Sequence, residues 1–478
     1  MNQAAPVLAW RRREPLHGIE ASATNPQVMQ SLEELRTRLV IDGGRRLEGS
    51  LCVPGAKNAA LPIMAASLLA AGEVILHYVP RITDVDVMAA ILESLGARVR
   101  EQAGGTLVID TSTVDSWRAP YALVSKLNAS FDVTGALLAR FGRAQVPQPG
   151  GCILGPRAID MHLKGFERLG ASVSLEHGSV IAAGAPLHGA DIHLEQPSVG
   201  ATKNIMLAAA RARGTTIIRN AAQEPEVADL AQFINAMGGR IAGDGTPTLR
   251  IDGVQRLHGC EYTIIPDRLV AGTYLLAGAI TGGDVTVNGI DPSFLGSLCA
   301  SLEACGCQAT PNGASMRILG PARWRPTDIA TAPYPGFPTD LQPPFVAYLS
   351  LAQGVSQVEE WIFDARFVYV GELARMGADI KVSGRHAVVN GVEKLKDAVV
   401  EAPDIRAGGA LVLAALAAEG TSEIGGLQYV DRGYEFLEER LSSLGASIAR
   451  TSVVAPMEHR ADLGDTMQMP KVVLPFTA

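Results

Sequence analysis

The sequence predicts an α/β fold in which six copies of one β/α unit place apolar helices inside their sheets. An apolar-Gly-small triplet closes a helical pattern six times, and its glycines lie 74, 68, 68, 71 and 68 residues apart. A period of about 70 residues indicates one supersecondary unit per copy. The triplets are Leu95-Gly96-Ala97, Leu169-Gly170-Ala171, Met237-Gly238-Gly239, Cys305-Gly306-Cys307, Met376-Gly377-Ala378 and Leu444-Gly445-Ala446.

A second glycine marker runs in phase with the triplets. In each copy an alanine- or leucine-rich segment ends near a glycine, and a β-type run usually follows. Because glycine adopts the left-handed conformation without steric cost, we interpret these glycines as helix C-caps. The two markers predict the order strand, apolar helix, strand, amphipathic helix, strand in every unit. The second set of glycines is Gly72, Gly142, Gly214, Gly283, Gly354 and Gly420.

Two kinds of helix alternate in this order. Residues 84–95 and 434–444 have apolar side chains three and four positions apart, which is typical of an amphipathic helix. Residues 410–418 (ALVLAALAA) are apolar on every side. A helix of that kind has to be buried, so we expect it inside the sheets. The period is longer than that of solenoid repeats, which favours compact subdomains over an open array.

The two ends of the chain contain no copy of the unit. We expect residues 1–37 to form an N-terminal extension that is helical in part over residues 27–39. Residues 456–478 are expected to form a C-terminal tail. No apolar segment follows the arginines of the first residues, and the longest apolar run, residues 59–71, is too short to span a bilayer. We therefore expect a soluble, cytoplasmic protein.

The composition excludes several classes of protein. Hydrophobic residues make up 47% of the chain and charged residues 19%, which is typical of a globular protein. The net charge of −8 argues against nucleic acid or an anionic membrane as the main partner. The six cysteines show no spacing typical of disulfides or of a metal site. We interpret the close pair, Cys305 and Cys307, as buried packing at a helix end.

Residues 149–160 (PGGCILGPRAID) form the strongest candidate for a functional loop. Glycines there indicate unusual backbone angles or close approach to a ligand, and prolines limit the freedom of the chain. A thiol on such a loop, that of Cys152, can be exposed and then buried when the loop closes over a substrate. The alternative is a surface turn in which the cysteine is incidental.

Several charged residues lie next to predicted buried helices. Lys57 stands where the first of these helices begins, and a lysine there is costly unless it serves a ligand. The helix N-terminus also favours an anion. Asp340 follows a proline-rich segment before another such helix, where helix capping is the alternative role. Taken singly, Arg366, Arg406 and Arg432 could be ordinary surface ion-pair residues.

Together these motifs resemble those of the UDP-N-acetylglucosamine enolpyruvyl transferases. The similarity runs from about residue 39 to residue 449, and the motifs occur in the family's order. They are GAKNAA (55–60), PGGC with GPRAID (149–160), PSVGAT (197–202), FPTD (337–340), DARF (364–367) and DRGYE (431–435). The resemblance implies a two-domain inside-out α/β barrel made of six β/α units. Domain I would comprise residues 38–56 and 265–455, and domain II residues 57–264 with the mobile cysteine loop.

The resemblance also implies an activity. Members of the family transfer the enolpyruvyl group of phosphoenolpyruvate to the 3-hydroxyl of UDP-N-acetylglucosamine and release phosphate through a tetrahedral intermediate. This reaction is the first committed step of peptidoglycan precursor synthesis. We therefore expect phosphoenolpyruvate and a uridine nucleotide sugar as ligands, with no metal and no organic cofactor. Neither a nucleic acid nor a membrane is expected as a partner.

The family motifs assign a role to each matching residue. The Cys152 thiol would protonate C3 of the enol or form a phospholactoyl adduct, and it would be the residue that fosfomycin alkylates in sensitive members. Asp340 would accept or orient the proton of the attacking hydroxyl, and Lys57 and Arg432 complete the catalytic set. The phosphoenolpyruvate site would comprise Lys57, Asn58, Arg157, Arg366, Arg406 and Arg432. The acceptor site would comprise Asn128, Arg157, Ala158, Ile159, Asp160, Met161, Gln196, Ser198, Val199, Gly200, Asp340 and Ile362.

The residue types suit this chemistry on their own terms. Addition to an enol ether needs a proton delivered to carbon while an oxygen nucleophile loses one, so an acid and a base are required. A thiol near lysine and arginine has a lowered pKa and is easily alkylated. A trianionic substrate needs several cations in a water-poor pocket, where each contact is stronger than in bulk water.

Two positions depart from the family pattern, and both concern the acceptor. Asn128 replaces a usual arginine, and Gln196 replaces a frequent lysine. A charge-assisted bond to phosphate contributes roughly 1.5–3 kcal/mol, so these losses would weaken a diphosphate site. Three hypotheses follow: an ordinary cell-wall enzyme in which Lys126 or Lys203 substitutes, enolpyruvyl transfer to the 3′-hydroxyl of UMP or another nucleotide in nucleoside-antibiotic biosynthesis, or a non-catalytic binding or regulatory paralogue.

Overall fold

The computed structural model describes residues 35–149 and 159–454. The chain divides into two compact units, one of Met1–Thr37 with Ser452–Ala478 and one of Arg38–Thr451. Most of the first unit lies outside the described residues. The predicted C-terminal tail and most of the predicted N-terminal extension lie outside them too. Cys152, Arg157 and Ala158 also lie outside them.

Strands and helices alternate along the described chain. The strands are β1 (Leu35–Asp42), β2 (Glu48–Cys52), β3 (Glu73–His77), β4 (Arg98–Gln102), β5 (Thr106–Asp110), β6 (Arg143–Pro147), β7 (Ser172–Glu176), β8 (Ser179–Ala183), β9 (Asp191–His193), β10 (Thr215–Arg219), β11 (Ile241–Ala242), β12 (Thr248–Asp252), β13 (Glu261–Thr263), β14 (Asp284–Asn288), β15 (Gln308–Pro311), β16 (Ser315–Leu319), β17 (Ile329–Ala330), β18 (Val355–Glu359), β19 (Asp379–Ser383), β20 (His386–Asn390), β21 (Val399–Glu401), β22 (Thr421–Gly425) and β23 (Ser447–Val454). The α-helices are α1 (Lys57–Ala66), α2 (Thr83–Ser94), α3 (Tyr121–Val124), α4 (Val133–Phe141), α5 (Asp160–Arg168), α6 (Val199–Ala209), α7 (Pro225–Ala236), α8 (Arg268–Ile280), α9 (Gly296–Ala304), α10 (Gln342–Leu349), α11 (Val370–Arg375), α12 (Ile405–Ala417), α13 (Leu427–Val430) and α14 (Leu437–Ser443). Short 3₁₀ helices occupy Ser67–Leu69, Asn128–Asp132, Pro292–Leu295, Thr339–Leu341 and Arg366–Tyr369.

The described strands form six small sheets, one for each predicted unit. Their strand orders are β13-β3-β5-β4, β6-β8-β7, β11-β12-β10-β9, β15-β16-β14-β2, β17-β18-β20-β19 and β21-β22-β1-β23. In each four-stranded sheet a strand that precedes an apolar helix pairs in parallel with a strand that follows one. This repetition, with helices between the strands, confirms the predicted α/β fold.

The chain passes twice between the half of the unit that contains residues 57–263 and the half that contains the remaining residues. At each passage one strand pairs with a sheet of the half that the chain is leaving. Strand β2 leads into α1 but pairs with β14, and β13 leads into α8 but pairs with β3. In the other four-stranded sheets, the strands before and after one helix pair with each other. The two crossings, residues 53–56 and 264–267, therefore run side by side. Gly55 and Pro266 form an isolated bridge there, and Asp267 donates its N–H to the carbonyl of Pro54.

Two hydrophobic cores lie on either side of these crossings. One contains buried residues between Ala56 and Ile264, with α1, α4 and α6 among them. The other contains buried residues from Leu39 to Val53 and from Leu269 to Leu444, with α8, α10 and α12 among them. These ranges lie close to those of the predicted domains 57–264 and 38–56 with 265–455. The division into domains stays a prediction.

The apolar helices lie inside the sheets, as predicted. Every residue of α8 is buried. Helices α4 and α6 pack so closely that a Cβ atom on Gly135 would lie 2.3 Å from the carbonyl oxygen of Asn204. A side chain at that position would separate the two helices, so glycine is required there. None of the described helices is long and apolar enough to cross a membrane.

The glycine markers are confirmed in part. All six triplet glycines follow a helix with φ between 90° and 102°, which identifies them as the left-handed residues that end the amphipathic helices. In the second set Gly142 caps α4 with φ 68°. The interpretation is wrong for Gly72, Gly214, Gly283, Gly354 and Gly420, because the helices before them end at the C-cap residues Ala70, Ala210, Thr281, Ser350 and Ala418.

Three details differ from the sequence predictions. The expected helix over residues 27–39 is wrong at its described end, where Leu35–Asp42 forms β1 and alternate residues Leu39 and Ile41 are fully buried. The last amphipathic helix begins only at Leu437, because Phe436 adopts a positive φ of 49°. The first five triplets each lead into two antiparallel strands, where one strand was predicted. The sixth leads into β23 alone.

Candidate functional site

The site is built where the two chain crossings meet the N-termini of buried helices. Lys57 is the first residue of α1, and its N–H donates to Oδ2 of Asp267 over 3.1 Å. Asp267 caps α8 by accepting the N–H groups of Leu269 and Val270. One buried carboxylate therefore joins the starts of α1 and α8, and burial raises its pKa.

A second buried carboxylate, that of Asp84, holds two cations together. Its Oδ2 lies 2.6 Å from Nζ of Lys57, and its Oδ1 accepts a 2.7 Å hydrogen bond from Nε of Arg432. Asp84 belongs to the first turn of α2, and its side chain is 2% exposed. Sequence reasoning missed this residue. The available signal was an aspartate on the apolar face of an amphipathic helix.

A third carboxylate, that of Asp340, holds the other two predicted cations. Its Oδ2 accepts a 3.0 Å hydrogen bond from Nε of Arg406, and its Oδ1 lies 3.4 Å from Nη2 of Arg366. Arg366 also donates to the carbonyl of Thr339 over 3.1 Å. Asp340 lies inside the 3₁₀ helix Thr339–Leu341, whose N-cap residue is Pro338. The alternative role of Asp340 as a helix cap is therefore wrong.

The two clusters form one electrostatic system. Burial lowers the pKa of Lys57, the Asp84 charge opposes this, and the positive charges of Arg406 and Arg432 lower it further. Burial alone would raise the pKa of Asp340, but Arg406, Arg366 and Lys57 outweigh it and hold that pKa well below its usual range. Asp340 is therefore ionised at neutral pH in the ligand-free protein.

The arrangement sets four cations against three carboxylates that they share. Asp84 and Asp340 are each shared between two cations, Asp267 joins two helix starts, and Asp404 caps α12 beside Arg406. The N-termini of α1, α8 and α12 add partial positive charge. Within the described part of the chain, Nε of Arg366 is buried and has no acceptor. Such a site can bind a small anion with two charged ends.

The predicted acceptor residues fall into separate groups. Ile159 precedes α5, and Asp160 and Met161 are in its first turn. Ser198 caps α6 by accepting the N–H of Ala201 over 3.2 Å, and Val199 and Gly200 begin that helix. Helices α5 and α6 pack together, since a Cβ atom on Gly200 would lie 3.0 Å from Nε2 of His162 in α5. The structure therefore brings these two helix starts together.

The remaining acceptor residues lie elsewhere. Asn128 begins the 3₁₀ helix that precedes α4, and Gln196 is exposed before α6. Ile362 follows β18, in the half of the unit that contains the second core, and its N–H donates to Glu360. Asn58 lies half-buried beside Lys57 in the first turn of α1.

The two predicted substitutes for the missing cations differ in burial. Lys203 is buried in the middle of α6, and its Nζ lies 3.7 Å from Oδ2 of the buried Asp132. Its role as a substitute stays a prediction. Lys126 is exposed and stays a candidate. The roles given to Cys152, Arg157 and Ala158 stay predictions, since these residues lie outside the described part of the chain.

Comparisons with known proteins identify the family of this chain. A family model described as EPSP synthase (3-phosphoshikimate 1-carboxyvinyltransferase) matches residues 41–441. UDP-N-acetylglucosamine 1-carboxyvinyltransferase 1 of Caldanaerobacter subterraneus is 48% identical, and the match covers 87% of this chain and 100% of the relative. The enzyme called UDP-N-acetylglucosamine 1-carboxyvinyltransferase from Gloeobacter violaceus is also 48% identical, over 87% of this chain and 91% of its own length.

Solved structures show the same fold. The enolpyruvyl transferase NikO from Streptomyces tendae superimposes with a TM-score of 0.79 at 26% identity, over 88% of this chain and 100% of that chain. EPSP synthase from Acinetobacter baumannii gives a TM-score of 0.66 at 17% identity, over 87% of this chain and 100% of that chain, which is evidence for the fold alone. The chain therefore belongs to the family of enolpyruvyl (1-carboxyvinyl) transferases.

Proposed function

We propose that this protein transfers the enolpyruvyl group of phosphoenolpyruvate to the 3-hydroxyl of UDP-N-acetylglucosamine and releases phosphate. The observation that carries the proposal is the grouping of Lys57, Arg432, Arg366 and Arg406 around two shared carboxylates at helix N-termini. The 48% identical relatives carry the name of this activity, which supports the same acceptor.

The two cation pairs suggest how phosphoenolpyruvate binds. Lys57 and Arg432 would contact its phosphate, and Arg366 and Arg406 its carboxylate, because two ends of one small anion can engage both pairs at once. The carboxylate of the substrate would then compete with Asp340 for the two arginines. Loss of those contacts would raise the pKa of Asp340 towards its usual range and make it a better proton acceptor.

The proposed reaction has two steps. The acceptor hydroxyl attacks C2 of phosphoenolpyruvate and gives its proton to Asp340, while an acid delivers a proton to C3. We assign that acid to Cys152, whose loop would close over the substrate. The tetrahedral adduct then loses a proton from C3 and expels phosphate, which restores the double bond. Positive charge near the phosphate stabilises the leaving group.

A second acceptor deserves a parallel test, since the residues near the acceptor site are short of cations. Asn128 and Gln196 are neutral, and the charge of Lys203 is partly offset by the buried Asp132. This shortage of positive charge favours an acceptor with less phosphate, such as UMP. The sequence identity to the relatives favours UDP-N-acetylglucosamine instead.

Phosphate release distinguishes these functions. The protein is incubated with phosphoenolpyruvate and either UDP-N-acetylglucosamine or UMP, and free phosphate is measured over time. We expect release that depends on UDP-N-acetylglucosamine. Release with UMP alone would reject the cell-wall acceptor. Binding of phosphoenolpyruvate without release in either mixture would support the non-catalytic paralogue.

A further inference from the structure

Glu360 is a fully buried carboxylate for which the proposed reaction has no use. It accepts hydrogen bonds from the hydroxyl of Thr331 (2.9 Å) and from that of Thr339 (3.0 and 3.1 Å to its two oxygens). It also accepts the backbone N–H groups of Ile362 (2.9 Å) and Phe363 (3.1 Å). A buried carboxylate is costly unless its oxygens are satisfied, and here every one of these partners is a donor.

The donors come from two segments that border the proposed site. Thr339 immediately precedes Asp340, and its carbonyl accepts the hydrogen bond from Arg366. Ile362, which the family resemblance assigns to the acceptor, lies in the segment 361–363. One carboxylate therefore fixes the backbone of the acceptor segment and the turn that carries the proposed base.

We propose that Glu360 is a positioning residue that sets the distance between the acceptor hydroxyl and Asp340. This inference rests on the proposed function. Proton transfer requires the hydroxyl within hydrogen-bond reach of the carboxylate, and a displacement of about 1 Å can reduce the rate about 10²-fold. A carboxylate suits this task because it only accepts hydrogen bonds, so it holds all the donors at once.

Paired substitutions of Thr339 test the inference. T339V keeps the shape of the side chain and loses the hydroxyl, whereas T339S keeps the hydroxyl. We expect T339V to lower kcat for phosphate release about tenfold or more, with KM for phosphoenolpyruvate changed less than about twofold. T339S should retain a kcat within about threefold of that of the wild type.

The matched comparison is T331V, which removes the other hydroxyl bonded to Glu360. That substitution also deprives the N–H of Trp361 of its acceptor, so its structural cost should be at least as large. We expect kcat of T331V to fall as well, but less than that of T339V, because Thr331 supports Glu360 and Trp361 without adjoining Asp340. Urea unfolding of all three variants measures the structural cost separately.

The outcomes separate the two proposals. A kcat of T339V equal to that of the wild type in an active enzyme would overturn the role of Glu360 alone. A wild-type protein that releases no phosphate with either acceptor would overturn the proposed function. As a further check, E360Q should retain more of the wild-type kcat than E360A, because an amide oxygen can still accept from Ile362 and Phe363. The reverse order would contradict the positioning role.

Discussion

Asp340 shows how neighbouring charges can adapt one carboxylate to two states of a reaction. In the ligand-free protein Arg406 and Arg366 hold its pKa well below the usual range, so it is a weak base. The same arginines are the proposed partners of the substrate carboxylate. Binding of phosphoenolpyruvate would therefore increase the basicity of Asp340 at the moment when the acceptor hydroxyl needs a base.

Replacement of Asp340 by asparagine tests this role. D340N keeps the shape of the side chain but removes the base, and we expect kcat to fall about 10²-fold or more. Phosphoenolpyruvate should bind D340N at least as tightly as the wild type, because the arginines lose a competing anion. Steady-state kinetics and calorimetric titration measure the two effects. An unchanged kcat would remove Asp340 from the reaction.

Replacement of Asp84 by asparagine tests the electrostatic link to Lys57. Burial lowers the pKa of Lys57 and the negative charge of Asp84 raises it, so D84N should lower that pKa further. The fall in kcat/KM for phosphoenolpyruvate on the alkaline side should then move to lower pH. The matched control is D86N, since Asp86 is exposed in the same turn of α2 and carries the same charge. A similar shift in both variants would contradict the link.

The four cations were predicted from the family resemblance, since the local pattern alone singled out Lys57 and left the three arginines as possible surface residues. The sequence did not predict Asp84, since its partner Arg432 lies 348 residues away. Glu360 was missed for a related reason, because Thr339 and Thr331 reach it from 21 and 29 residues away. Local patterns identify residues at helix starts, whereas shared carboxylates become visible only when distant segments meet.

At the level of single elements, local backbone chemistry was the most reliable guide. The triplet glycines correctly predicted six helix ends, because a left-handed residue after a helix is a local requirement. The error over Leu35–Asp42 has the opposite origin. That segment is a strand because it pairs with β22, and Leu39 lies opposite Ile424. No local pattern can predict a partner so distant in the sequence.

Two glycines in or just after α11 allow the cost of backbone strain to be measured without any change in packing. Gly377 has a φ of 90° and Gly371 lies inside the helix, and a Cβ atom on either would meet nothing within 4 Å. We expect G377A to lower the free energy of unfolding by about 1–2 kcal/mol, since it forces a side chain into the left-handed region. G371A should raise that free energy by about 0.5–1 kcal/mol. Urea unfolding measures both, and equal effects would contradict the interpretation.

On the scale of the whole described unit, strand exchange places the site. Strands β2 and β13 each pair with a sheet of the other half, and the chain crosses directly before Lys57 and Arg268. The repeats predicted six units and their buried helices. They could not predict the exchange, because each copy has the same pattern of strands and helices and any of the sheets could accept the extra strand.

The stability of the molecule should depend on pH through buried groups with opposite effects. Burial lowers the pKa of His162 to about 4, whereas burial raises the pKa of Asp229 to about 6. The unfolded chain binds a proton at His162 from about pH 6.5 downwards, so stability from this group is lost as the pH falls from about 6.5 to 4. Stability from neutral Asp229 is instead lost as the pH rises from about 4 to 6.

The variant H162N isolates the first effect, because its amide oxygen can still accept from Asn204. Between about pH 7.5 and pH 4.5 the wild type should lose roughly 2 kcal/mol more unfolding free energy than H162N. Urea unfolding at the two pH values measures this difference, and the contribution of Asp229 cancels in the comparison. The same pH dependence in both proteins would show that His162 does not titrate as its burial predicts.

The most direct measurement of the central claim is a crystal structure of the protein with phosphoenolpyruvate. We predict the phosphate of the ligand against Lys57 and Arg432, and its carboxylate against Arg366 and Arg406, with Asp340 released from at least one arginine. Phosphoenolpyruvate bound away from these four side chains, or bound with its two ends reversed, would contradict the account.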